Sequence, residues 1–214
     1  MKIRTILTGL VTGMALLAVP VFTSSCHRGG KAEDGNAENA DSVKVWTKID
    51  PTELEMAPIG KISSDWMALA MGSKKSYNSM TISWGTIGEL WNKPVFIVFV
   101  SSDRASKKLM DANNYFTVSS FPQEREYREA LEYIGSHSVR EEADKTAKAG
   151  LQVEFTDLGN PMFKDAEITI ECKKIYSDEF TKEKLPKEVR DKIYSTVGMH
   201  TMYIGEIVNV MVKR

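Results

Sequence analysis

Apolar positions along this chain change their spacing several times, and each change marks a new element. Ile6 to Phe22 is a largely apolar, uncharged run broken by Gly9, Gly13 and Pro20, with Lys2 and Arg4 before it and Thr23-Ser24-Ser25 after it. It is shorter than the about 20 apolar residues of a membrane-spanning helix, and its layout is that of a secretory signal. From His27 to Ser42 no large apolar side chain occurs, and a stretch of that composition cannot bury enough surface to fold. A folded domain is therefore expected from Val43 to the end, of a size usual for one domain.

Within that domain the period alternates between two and 3.6. Val95 to Val100 is a continuous apolar run between Pro94 and Ser101-Ser102-Asp103, the pattern of a strand buried on both faces. Leu151, Val153 and Phe155 alternate with polar neighbours, as do Ile168, Ile170 and Cys172, which predicts two half-buried strands. Further strands are predicted at Trp66 to Met71, Met80 to Trp84, Tyr115 to Phe121 and Met202 to Val212. Helical spacing places Ala105, Leu109 and Ala112 on one face after a Ser102 or Asp103 cap, and Tyr127, Ala130, Leu131 and Ile134 on another. Two short helices are predicted at Glu142 to Ala149 and from Pro186, with Val189 and Ile193 inward. Strands outnumber helices and come in adjacent groups, so the expected class is mainly β with flanking helices, a β-barrel or sheet with helices packed outside.

Charge changes this picture little. Lys and Arg number 28 against 29 Asp and Glu, which offers no electrostatic reason to expect nucleic acid. The two cysteines change it more. Cys26 follows small residues at the end of the apolar run, and the segment resembles a bacterial lipoprotein signal, in which residues 1–25 are removed and the cysteine is lipidated. That resemblance implies an exported, membrane-anchored protein on the periplasmic or cell-surface side, with residues 26–42 as a lipidated cysteine and flexible tether. A tether of that length spans roughly 20 to 25 Å. Cys172 is then left without a disulfide partner, so the domain must be held by its core. No adjacent arginine pair occurs in the signal, so export is expected to carry the chain unfolded, and any cofactor is acquired outside.

Three stretches could carry chemistry. Tyr77 to Gly88 mixes hydroxyl and amide side chains with Met80 and Trp84, a strand edge able to offer polar groups and apolar walls to a planar ligand; an exposed Thr/Ser-rich strand has the same composition. Ser101, Ser102, Arg104 and Ser106 follow the buried strand, where backbone N–H groups and a guanidinium suit a phosphate; a plain capping motif is the alternative. Gly135-Ser136-His137-Ser138, with Arg140 and Asp144-Lys145, suits an anion or a ribityl chain, or is simply a surface loop. Nucleophile elbows, P-loops, dinucleotide fingerprints and clusters at metal-ligand spacing do not occur in the sequence, so no catalytic residue is assigned. Cys172 reads as core, and the methionines as filler.

Taken in order, Asn78-Ser79-Met80-Thr81-Ile82-Ser83-Trp84-Gly85, Lys93-Pro94-Val95-Phe96 leading to Val100-Ser101-Ser102-Asp103-Arg104, Asn114 to Ser119, Ser136-His137-Ser138 with Arg140, and His200 to Ile207 resemble the flavin reductase-like, flavoredoxin-type family of FMN-binding split barrels. The resemblance implies a domain over residues 43–214 that binds FMN, usually as a homodimer with the cofactor at the interface. It implies that Asn78, Met80, Thr81 and Ser83 line the ring, that Ser101, Arg104 and Ser106 hold the phosphate with His137, Ser138, Arg140 and Lys145, and that His200 lies near the flavin or the partner subunit. The implied function is a membrane-tethered flavin reductase or flavoredoxin-like electron carrier whose electron donor and acceptor the sequence does not name. Val139 and Glu141 stand where the family commonly has Gly and Asp, and Ser101 to Ser106 departs from the commoner Arg-Pro-Ser-Arg-Tyr-Thr. If that glycine needs a positive φ, Val139 would be strained there, which implies a rearranged phosphate loop. These departures motivate the alternative, a non-enzymatic lipoprotein binding module with weakened or lost FMN binding.

Overall fold

The computed structural model describes residues 44–214; the signal segment, Cys26 and the tether lie outside them. Ten strands are present among the described residues: β1 (Trp46–Ile49), β2 (Met67–Ser73), β3 (Ser76–Ile82), β4 (Gly85–Leu90), β5 (Lys93–Ser101), β6 (Tyr115–Ser120), β7 (Val153–Phe155), β8 (Pro161–Phe163), β9 (Ile168–Glu179) and β10 (His200–Lys213). The helices are a single turn α1 (Pro58–Gly60), α2 (Ser106–Ala112), α3 (Arg125–Ser136), α4 (Lys145–Lys148) and α5 (Lys187–Lys192). The main sheet runs β3-β2-β6-β9-β10-β5-β4, with β1 also on β10, and β7 and β8 form a separate hairpin. Every pairing is antiparallel.

Strand β2 shows why the sheet can be covered on both sides. Met67, Leu69 and Met71 point into the main core with Met80, Ile82, Phe96, Val98, Val100, Phe116, Val118, Ile170, Cys172 and Tyr203. Ala68 and Ala70 point the other way, into a second core with Ala130, Leu131 and Ile134 of α3 and with Phe121, Leu151 and Phe163. Large residues fill the barrel side, and alanines let a helix approach the outer side closely, as dense interiors require. Gly205 serves a similar end on β10, where an added Cβ would lie 2.6 Å from both the Cys172 Cβ and the Phe116 ring. A register shift falls at the same place, between Ile204 and Gly205.

Several expectations are corrected. The Ile168 strand is buried on both faces at its start, because Thr169 and Glu171 are covered as fully as Ile170 and Cys172. Glu171 accepts from the Thr156 hydroxyl, from Asn160 Nδ2 at 2.7 Å and from Asn209 Nδ2 at 2.6 Å. The loop that joins β7 and β8 therefore sits on this carboxylate, and a period-two alternation cannot reveal that. In β5, Phe96, Val98 and Val100 are buried, whereas Ile97 and Phe99 are only half-buried. Ala112 is exposed, and α2 instead buries Ser106 and Met110. Neither Ser102 nor Asp103 caps α2, whose N-cap is Ala105. The Asp103 carboxylate accepts from the Gly198 backbone N–H instead. Pro186 stands at the N-cap of α5 rather than in its first turn, and the Glu142 to Ala149 helix contracts to α4.

Strand β4 was not foreseen, because Gly85, Gly88 and Glu89 interrupt any alternation. It pairs with β5 through a tight turn at Trp91 and Asn92, both at positive φ (55° and 57°). That is the conformation of a type I′ hairpin, whose twist matches its strands.

Candidate functional site

Strand β3 forms one wall of a cavity of about 670 Å³. Its partner β2 fixes the register, with Met71 opposite Asn78 and Leu69 opposite Met80. The chain then leaves the strand at Ser83 and Trp84, which also line the cavity. The loop from β5 into α2 brings Ser101, Arg104 and Ser106, the end of α3 and its following loop bring Ser136, His137, Ser138 and Val139, α4 brings Lys145, and β10 begins with His200. Of the twelve binding residues anticipated from sequence, eleven meet at this cavity. The twelfth, Arg140, is exposed and does not line it, although its backbone N–H donates to Ser138 Oγ at 3.2 Å.

Internal hydrogen bonds lock these groups in place. Asn78 Nδ2 donates to Ser106 Oγ at 2.9 Å, tying β3 to α2. The Thr81 hydroxyl donates to the Leu131 carbonyl, and Arg104 Nη1 donates to the Gly135 carbonyl at 2.6 Å, tying both to α3. Lys145 is 3% exposed and donates to the carbonyls of Ile134 (3.0 Å) and His137 (2.9 Å), where the last turn of α3 leaves acceptors free. His137 stacks on Tyr133 with ring centroids 3.8 Å apart. Val139 is not among the residues at positive φ, which apart from glycines are Trp66, Trp91 and Asn92 in the described residues. The loop thus takes a course that a β-branched residue adopts without strain.

What the network leaves unfilled is as informative. Asn78 is 2% exposed, yet its Oδ1 has no partner, and the buried His200 Nδ1 has none either. Both residues face the cavity, and an unpaired buried acceptor costs free energy unless something else supplies a donor. Three cations line the cavity, Arg104, Lys145 and Lys192, against the single carboxylate of Asp103. Burial, and then the nearby Arg104, push the Lys145 ammonium down to about 8. The same two causes lower His200, with Asp103 opposing them. The His200 ring is held between Trp84 (5.1 Å, tilted) and Tyr194 (5.6 Å, edge-on). Apolar surface from Met80, Ile82, Trp84 and Phe99 completes the lining. The arrangement suits an anionic ligand that has a planar ring and hydrogen-bond donors.

The family model of the flavin reductase like domain matches residues 62–214. The chain belongs to that family. No curated protein sequence matches it. Among solved structures, family fold is shared with an FMN-binding domain of a flavin reductases-like enzyme from Shewanella baltica OS155 (12% identity, 79% of this chain and 78% of that one, TM-score 0.56). It is shared also with a flavoredoxin from Methanosarcina acetivorans (19%, 77% and 73%, 0.54) and an NADH:FAD oxidoreductase from Streptomyces globisporus C-1027 (17%, 70% and 78%, 0.52). The fold is therefore the split barrel of flavin reductase-like proteins.

Sequence reading missed one contributor to this family member's cavity. Lys192, Ile193, Thr196 and Val197, from the segment between β9 and β10, line it as well. Ile193 was expected to face inward from the helix at Pro186, but the stretch is polar and carries no motif, so only the fold reveals that it lies at this cavity.

Proposed function

We propose that this protein binds FMN in the β3 cavity and acts as a flavin-dependent oxidoreductase, a flavin reductase or flavoredoxin-like electron carrier tethered to a membrane through Cys26. The observation that carries the reading is the buried, unpartnered Asn78 Oδ1 in a cavity with three cations and one carboxylate, within a member of the flavin reductase like domain family. Arg104 and Lys145, with Ser106 and Ser138, would hold the phosphate, since charge-assisted contacts to a guanidinium and an ammonium are the stronger kind. Asn78 would accept from an N–H or O–H of the cofactor, and Met80 and Trp84 would supply apolar walls. Bound flavin supplies the redox chemistry, so the chain itself has to bind, orient and shield the ring. We further propose a homodimer whose second subunit completes the site. We also propose a membrane or exported electron donor, because an exported protein meets little reduced nicotinamide.

Purified residues 27–214, which omit the lipidated cysteine, should be yellow or become so on FMN titration, with a saturable change in the flavin visible spectrum. A colourless protein that leaves that spectrum unchanged would favour the rival, a binding module that no longer holds the cofactor.

A further inference from the structure

Strands β9 and β10 form one long hairpin that is still in register at Glu179 and Thr201. A two-residue turn would close it. Instead Phe180 to Met199 intervenes as a strap containing α5. Both ends of the strap are fixed. Phe180 donates its N–H to the His200 carbonyl at 2.9 Å, and its ring lies 5.5 Å from that of Phe99. At the other end the Gly198 carbonyl accepts from Ser101 Oγ at 3.1 Å, and the Met199 carbonyl accepts from the Ser102 N–H at 2.9 Å. The approach is close enough that a Cβ on Gly198 would fall 2.2 Å from Ser102 Oγ.

Between these anchors the strap contributes Ile193, Thr196, Val197 and Lys192 to the cavity. The Lys192 ammonium pairs with Glu188 at 2.7 Å in a largely exposed ion pair. The strap therefore brings two aliphatic side chains, Ile193 and Val197, to the cavity beside Thr196, and its one cation there is already paired with Glu188 rather than anchored to receive a pyrophosphate. Hydride transfer from a reduced nicotinamide needs its ring against the acceptor ring, with reacting atoms about 3 to 3.5 Å apart. A ring held against β3 would find the strap among its neighbours, and the side that the strap covers is closed to a second ring.

We propose that the Phe180–Met199 strap is a specificity wall that keeps nicotinamide dinucleotides off the ring cavity, so that reducing equivalents come from a donor that does not enter it. The inference rests on the flavin reading above. Two variants test it in FMN-loaded protein: one in which Thr181–Met199 is replaced by Asn-Gly to close the hairpin, and the double substitution Ile193→Ala with Val197→Ala, which keeps both anchors. FMN affinity is measured separately on each, NAD+ binding is followed by calorimetry, and bleaching of the flavin by NADH is followed anaerobically. The wild type is expected to bind no NAD+ and to bleach slowly, with a rate linear in NADH. The hairpin-closed variant should bind NAD+ saturably and bleach at least about tenfold faster, and the double variant about three- to tenfold faster. If the closed hairpin does not fold, the double variant decides. Fast, saturable bleaching of the wild type, or variants that hold FMN yet bleach no faster, overturns the inference alone. A wild type that takes up no FMN overturns the flavin reading and the inference with it.

Discussion

Two buried polar clusters in this barrel are built from the same kinds of side chain and end in opposite states. Around Glu171, one hydroxyl and two amides satisfy both carboxylate oxygens. At the β3 cavity, Asn78 is buried and His200 half-buried, and one buried atom of each is left unpaired. A cluster that closes on itself contributes to the fold. One that stops a single hydrogen bond short, beside a cavity, carries a cost that a ligand can relieve.

Breaking the closed cluster should have the largest effect. Glu171→Ala strips three donors of their acceptor and opens a hole, and should destabilise the domain by about 3 to 5 kcal/mol, read as a fall in the denaturant midpoint. Glu171→Gln keeps the volume but sets an amide N–H against other donors, for about 1 to 3 kcal/mol. In each variant that still folds, FMN affinity should be little changed. A loss of flavin binding as large as the loss of stability would show that the two clusters are not independent.

The open cluster should respond in the opposite sense, through the ligand. Arg104→Ala should weaken FMN binding by about 1.5 to 3 kcal/mol, roughly 10- to 150-fold, with a smaller effect on stability, because the guanidinium is exposed and makes one internal contact. Unchanged affinity on titration would remove Arg104 from the phosphate site.

Lys145 links the two behaviours through pH. Its ammonium is pushed down to about 8 from an ordinary value of 10.5. Between those values the unfolded chain holds a proton that the folded chain has lost, so the Lys145 contribution makes the cofactor-free domain more stable as pH rises from about 8 to 10.5. The loss of that charge removes a phosphate partner over the same range, so FMN affinity should fall severalfold above about pH 8. Lys145→Met should flatten both slopes, and a variant that keeps the affinity slope would assign it to another group.

The cavity was legible in sequence because its chemistry lies along one strand and just past the ends of two, where hydroxyls, amides and a guanidinium break an apolar pattern, as at Asn78 to Ser83 and Ser101 to Ser106. The barrel strands were legible for the complementary reason, since β2 and β5 hold apolar runs and β10 is apolar at most of its positions. What could not be read depends on contacts between distant segments. Glu171 looks like the polar half of an alternating strand until Thr156, Asn160 and Asn209 fold onto it. The lining residues Ile193 and Val197 lie in a charged stretch whose position is set by anchors at Phe99 and at Ser101 to Asp103. Strand β4 hides behind its glycines because its pairing with β5 is made by backbone groups.

The smallest expected effect concerns Val139, where family resemblance and backbone geometry disagree. A glycine there would restore the common loop sequence, but Val139 is not at positive φ, so Val139→Gly releases no strain and only adds freedom to the unfolded chain. The substitution should cost about 0.5 to 1 kcal/mol of stability and leave FMN affinity within about twofold. A tenfold gain in affinity would mean that the loop has to pass into the left-handed region to close on the phosphate. In that event the cofactor-free course of residues 136–140 would differ from the bound one, and the open cluster at Asn78 would belong to a site that is only partly preformed.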